Sequence, residues 1–469
     1  MASGNSKAEA IAIIGCKIAA VGTNKTIRDF AGPATRTIDA RGRLVLPGFN
    51  DAHVHFTAIG NTFSSIDLRA KRTAGEIIDQ MGHYVRFLPK GRWLLGIGWN
   101  DAVLPARESI DAISPDHPVF IYHADGKSAL ANSPALTMAQ ITKFARGRAD
   151  DGVARDSRGE PTGVLRGSAM VRVSNLIPQP HINKWPEIAE TASNYAASLG
   201  VTSVQDVHSD ELANVYRELA RQGKLKTRIY DCSPLSSLAR LKTQGIRSAA
   251  GDAFVRTGCV KHFTDGDDAN AAELEKNVLA ADKAGLQVMI HAIGPRSNGI
   301  VLDIFEKTAR QNGSWDRRFR IEHANYVKES DLRRFGKLKI IASLQPWIFH
   351  GDSFEDYKRL FDVGAPIAFG SDASITEFNP LLGIYAAVTG TSAVTVEQAV
   401  RSYTMGSAFA EFQENVKGSI EAGKLADLVI LSDDIFTIDP AKIRTVKVVT
   451  TIVDGKVVFE ADRGREHDR

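Results

Sequence analysis

The chain has 469 residues, 43% hydrophobic and 24% charged, enough to bury one large core or two to three smaller ones. Its formal net charge of +3 is spread along the sequence and gives no basis for a nucleic-acid partner or an anionic membrane. No apolar run reaches the roughly 18 residues of a spanning helix, and Cys16, Cys232 and Cys259 form neither a disulfide framework nor a zinc-finger spacing, so a reducing, cytoplasmic location is expected.

In chain order, residues 11–46 read as short β segments, IAIIG, KIAAVG, TRTIDA and RLVLPG, broken by glycine and proline. IAIIGCKIAAVG could pass for the core of a secretory signal, but Lys17 interrupts it, and two strands around a turn fit better. The same texture returns over 425–459, in LADLVILS and VKVVTTIVDGKVVF, with Asp454-Gly455 as a hairpin turn. A small β-sandwich built from residues 1–46 and 414–469 is therefore expected. Its first segments start so near residue 1 that a strand or two is expected to be missing from it.

Between these ends, eight short apolar segments alternate with helical stretches. They are LPGFNDAHVHF, GVTSVQDV, KTRIYDC, GCVKHF, LQVMIHAIG, RFRIEHA, KIIASLQP and PIAFGSDA. Amphipathic segments such as WPEIAETASNYAASLG and NAAELEKNVLAADKAG separate several of them. That rhythm predicts an α/β fold, a TIM-like (β/α)8 barrel over residues 47–413. The stretch after the first strand is too long for one helix, so an inserted subdomain is expected at about 57–185.

PGFNDAHVHF, residues 47–56, carries the first chemical signal. On an extended strand, His53 and His55 project to one side, in a row with Asp51. A His-x-His pair also occurs on solvated strand surfaces, so the pair needs company. At the ends of later strands stand Lys261, His291, His323 and Asp372, and a barrel brings such ends together. Imidazole and carboxylate suit a divalent cation, zinc above all, which lowers the pKa of a bound water towards about 7. Asp372 is suited to take the proton of that water and hand it to a leaving amine, and His291 or His323 to polarise a carbonyl. Lys261 would repel a cation as an ammonium and makes sense only when carboxylated, bridging two ions. Each residue has a plainer reading too: a satisfied core histidine, a salt-bridged lysine, a helix N-cap for Asp372.

An ordered series of motifs accompanies these residues: LVLPGFNDAHVHF, GWND, SIDAISPDHPVFIYHADGKSALANSPAL, GEPTGVLRG, LGVTSVQD, VKHFTDG, AGLQVMIHAIG, RFRIEHA, SLQP, AFGSDA and GSIEAGKLADLVILSDD. Over nearly its whole length the chain resembles the amidohydrolase superfamily, specifically its YtcJ-like branch. The resemblance implies that His53, His55, His291 and His323 match metal ligands, Lys261 the carboxylated lysine and Asp372 the catalytic aspartate. It also implies one or two zinc or similar ions, hydrolysis of non-peptide C–N bonds in small molecules such as N-substituted formamides, and a homodimer. His123, Lys127, Trp99, Gln345 and Trp347 are candidate substrate contacts. The chain departs from the family at Lys127, where Asp-Gly-His is usual, at Pro295, where an acidic residue is usual, and at Gly167, where a glutamate is expected. These departures bear on substrate choice. An ester, lactone or phosphoester hydrolase, an isomerase, and a non-catalytic binding scaffold stay open as alternatives.

Overall fold

The computed structural model describes residues 8–461 except 64–65, 70, 87, 124–127, 144–151, 179–181, 208–211, 265–269, 349, 351–356 and 374–375. Its largest sheet holds eight parallel strands in sequence order: Phe49–Val54, Val201–Val207, Arg228–Pro234, Val255–Phe263, Gln287–Ile293, Arg320–Asn325, Ile341–Leu344 and Ile367–Phe369. They are numbered here as barrel strands 1 to 8. Each overlaps one of the eight apolar segments.

The sheet curls until its edges meet. Beyond strand 8, the Asp372 amide donates to His53 O at 2.7 Å, and the His55 amide donates to Ala373 O at 2.6 Å. The Ser371 amide adds a bond to both Asp51 carboxylate oxygens, at 3.0 and 3.1 Å. Asp51 thus serves closure. The result is a TIM-like barrel, with helices between successive strands. The helix after strand 5, Pro295–Gln311, shows the local logic. Gly294 turns at φ 94°, proline occupies the first turn, and Val301, Leu302, Ile304 and Phe305 form the buried stripe.

The barrel interior is polar. Arg320 of strand 6 reaches strands 1, 2 and 7, through Ala52 O at 2.7 Å, Gln205 Oε1, and Ser343 Oγ at 3.0 Å. Strands 1 and 2 are not neighbours of strand 6, so this side chain crosses the lumen.

The chain ends meet beside the barrel. Val45–Pro47 pairs antiparallel with Leu428–Leu431, which pairs with Val448–Val453 and then Lys456–Glu460. The hairpin of Ala10–Ile14 and Lys17–Gly22 is a separate two-stranded sheet. Its Ile18 packs with Ala426, Leu428 and Ile452 of the C-terminal segment.

A second compact unit comprises residues 57–191 with 374–376. Its six-stranded mixed sheet runs in the order Ile66–Asp67, Leu94–Trp99, Val119–His123, Ser128–Ala131, Pro161–Arg166, Val153–Arg155. One hydrophobic cluster includes Ile77 and Met81 of helix Ala74–Val85 and Ile110 of Arg107–Ile113. Another includes Leu136 of Ser133–Met138 and Val173 of Gly167–Ser174.

The cysteine reading needs correction. Cys232 on strand 3 and Cys259 on strand 4 are paired in register and form a disulfide, with Cα atoms 4.7 Å apart. Parallel register joins residues 27 apart in sequence, which spacing alone does not reveal. Among the described residues, no helix is long and apolar enough to cross a membrane.

Candidate metal centre

The site is built from the C-terminal ends of the barrel strands. His53 Nε2 and His55 Nε2 each lie 3.4 Å from Asp372 Oδ1, and the three residues offer ligand atoms all within 4.8 Å of one another. The His323 ring centroid is 5.0 Å from that of His53, and the His291 centroid 4.4 Å from that of His323. Lys261 Nζ sits 4.7 Å above the Phe263 ring, and that ring is 5.5 Å from His291. The six residues singled out by position at strand ends are therefore brought together.

Backbone conformation does part of the aiming. His323 and Ala324 have φ of 72° and 47°, Asp372 has φ of 56°, and pairing of strands 5 and 6 shifts register there. Non-glycine residues in the left-handed region are uncommon and gather at functional sites. On a regular strand, Glu322 and His323 would face opposite ways. The left-handed turn at His323 lets both reach His53.

Glu322 escaped the sequence reading. Its Oε2 lies 2.5 Å from His53 Nδ1, and Arg320 donates through Nε to Oε1 at 2.8 Å and through Nη2 to Oε2 at 3.2 Å. The available signal was alternation, which puts Arg320 and Glu322 on one face of RIEHA. The neighbouring histidine masked it.

Electrostatics favour the forms that bind cations. Burial holds His53 well below the ordinary imidazole value, helped by the Lys261 charge. Burial likewise brings His291 and His323 down to about 4, so these rings are neutral near pH 7. Burial would raise the Asp372 carboxyl, but the surrounding imidazoles outweigh it and keep the group ionised. Burial lowers Lys261 to about 8, against the pull of Glu322 and Asp372. Neutral imidazole and carboxylate are the ligating states.

Lys261 Nζ, His291 Nδ1 and His323 Nδ1 are buried with no hydrogen-bond partner among the described residues. Each such atom costs about 1–3 kcal/mol when left unsatisfied. The donor set and these orphaned atoms fit a divalent cation.

The substrate-side candidates fare unevenly. Gln345 is buried just past strand 7, bonded through Nε2 to Ser343 O at 3.1 Å, and its Oε1 has no partner among the described residues. Trp347 is half-buried and stacks on His350, with ring centroids 5.7 Å apart. In the second unit, the His123 ring meets Trp99 edge-on at 4.5 Å. Trp99 is fully buried in that unit's core, and its indole N–H donates to Ile121 O at 2.9 Å. Lys127 lies outside the described residues.

Comparison with known proteins identifies the family. Residues 36–459 match the model of the amidohydrolase family. The chain is 31% identical to protein LONG AFTER FAR-RED 3 of Arabidopsis thaliana, over 96% of this chain and 88% of that one. It is 27% identical to the N-substituted formamide deformylase of Arthrobacter pascens, over 97% and 96%. Among solved structures, an uncharacterized metal-dependent hydrolase of Pyrococcus horikoshii superposes with a TM-score of 0.69 at 25% identity, over 91% of this chain and 94% of that one. The chain belongs to the amidohydrolase family, hydrolases of carbon–nitrogen bonds other than peptide bonds.

Proposed function

We propose that the protein is a zinc-dependent hydrolase that cleaves an amide, N-acyl or N-formyl C–N bond in a small molecule. The observation that carries this reading is the convergence of His53, His55 and Asp372 beside the unpartnered Lys261, His291 and His323. His53, His55 and Asp372 would hold one ion. His291 and His323 would complete its shell or hold a second, with a carboxylated Lys261 as bridge. Such an ion, when bound, supplies Lewis acidity and a lowered water pKa.

The side chains do the rest. Asp372 accepts a proton at its carboxylate from the attacking water and returns it to the departing nitrogen, because an amine leaves readily only when protonated. The neutral rings of His291 and His323 orient the substrate carbonyl. Gln345 and Trp347, directly past strand 7, supply a polar and an aromatic contact to the group on nitrogen. The formamide deformylase of Arthrobacter pascens supports the N-formyl class as the first to test.

Protein purified without chelator is expected to carry at least one equivalent of transition metal per chain, and its absence by elemental analysis would sink the proposal. His53→Asn is expected to lower that content. Parallel assays on N-substituted formamides, N-acyl amino acids and lactones test the bond type; turnover of lactones alone would move the reaction class.

A further inference from the structure

Arg320 and Glu322 take no part in the chemistry above, yet both side chains are fully buried in the barrel lumen directly behind His53. A buried carboxylate and guanidinium are expensive to keep there unless they are paired and fully bonded. Here they are. Glu322 receives two bonds from Arg320 and faces His53 Nδ1 at 2.5 Å. The remaining guanidinium capacity goes to Gln205 Oε1, Ala52 O and Ser343 Oγ. Gln205 is itself fixed, donating through Nε2 to Ser407 O at 2.8 Å.

The consequence falls on His53. An imidazole that donates Nδ1–H to a carboxylate presents a bare Nε2, and its ring cannot swing without breaking that bond. His53 Nε2 is the atom that faces Asp372. The guanidinium ties strands 1, 2, 6 and 7 to one centre, so the position of Glu322 is set by four strands at once. Among the described residues no buried carboxylate is bonded behind His55 in this way, and its side chain is 30% exposed. The two histidines of the His-x-His pair are therefore unequally held, His53 by a buried carboxylate and His55 on the more open side.

We infer that Arg320 and Glu322 are positioning residues that fix the tautomer and orientation of His53 and so set the affinity of the centre for its cation. The inference rests on the metal-centre reading above. It also differs from a plain stability role, since a strut that only holds the barrel together would leave affinity in the folded protein unchanged.

The test uses Glu322→Gln and a second variant, Arg320→Met with Glu322→Leu, which removes both buried charges in case the single substitution fails to fold. Apparent affinity for Zn2+ and Co2+ is measured by competition with a chelator, alongside the Co2+ absorption spectrum and the melting temperature of the metal-free protein. Loss of such a supporting carboxylate is expected to weaken binding by about 10- to 100-fold, with an altered Co2+ spectrum in a protein that still melts cooperatively. Wild-type affinity and spectrum in the folded double variant would overturn the inference, whatever the melting temperature does. If the wild-type chain itself bound neither ion, the metal-centre reading would fail instead.

Discussion

Asp206, on strand 2, shows how a single side chain in this barrel can be read as a pH dependence. Its carboxylate accepts from the Phe56 amide at 2.9 Å and from the Tyr216 hydroxyl at 2.5 Å. Burial nevertheless dominates and pushes it up to about 6. An unfolded aspartate titrates near 3.9. Between about pH 4 and 6 the folded chain holds a proton that the unfolded chain has lost, so this group's contribution to stability falls as pH rises through that window. The full penalty, up to about 3 kcal/mol, is present above pH 6. Asp206→Asn keeps an acceptor and removes the charge. Relative to wild type, its stability in urea unfolding of metal-free protein is expected to rise by about 1–3 kcal/mol from pH 4 to pH 7. A flat difference would show that Asp206 is already ionised in the fold. Asp206 stands in the family-like stretch LGVTSVQD, but the partner that explains it, Tyr216, is reached only through the fold. The candidate ligands were legible because strand ends are recognisable, whereas Glu322 was masked by the neighbouring His323.

At the scale of elements, the joint between strands 1 and 8 positions three of the candidate ligands, since His53, His55 and Asp372 all take part in its backbone bonds. Gly370 lies in this joint with no room for a side chain. A β-carbon there would stand 2.5 Å from His53 N and 2.8 Å from Asp51 Oδ1. Gly370→Ala must push strand 1 away, at a cost of about 1–3 kcal/mol. Lower metal content alongside a lower melting temperature is the expected result, and unchanged metal content would mean that the ligands do not depend on this joint. The joint of strands 3 and 4 carries the Cys232–Cys259 disulfide, both residues being fully buried. Closing a loop of this length contributes about 3–4 kcal/mol in the chain-entropy account. Cys232→Ala with Cys259→Ala is expected to lose about that much in chemical unfolding, and non-reducing peptide mapping of the wild type should recover the linked peptides. The eight strands were readable because each is a short apolar run bounded by glycine, proline or a helix. The disulfide was not, because it depends on which residues of two strands stand side by side.

At the scale of the whole molecule, buried charge ties the terminal β-strands to the foot of the barrel. Arg228, the first residue of strand 3, donates to Asp427 through Nε at 2.7 Å and Nη2 at 2.9 Å, and to Asp454 at 3.1 Å. Asp427 directly precedes the strand Leu428–Leu431, and Asp454 sits in the turn between Val448–Val453 and Lys456–Glu460. Nearby, Glu411 gathers Lys417 at 2.8 Å, Asn50 at 2.6 Å and the Arg256 guanidinium. No local pattern announces a pair such as Arg228 and Asp427, which are 199 residues apart. The hairpin signal at Asp454-Gly455 was legible, but what its aspartate holds was not. Arg228→Met leaves Asp427 buried without its cation, and breaking such a pair costs about 3–5 kcal/mol. Arg228→Met with Asp427→Leu removes the stranded charge and is expected to recover much of that loss, because Asp454 is partly exposed and can turn to water. Arg228 lies at the N-terminal end of its strand and the candidate ligands at the C-terminal ends. Metal content per folded chain should therefore match wild type in both variants, while the melting temperature falls in the single one. A loss of metal in the single variant that the double variant does not restore would mean that the foot and the mouth of the barrel are coupled, and that the terminal strands are part of the site's support.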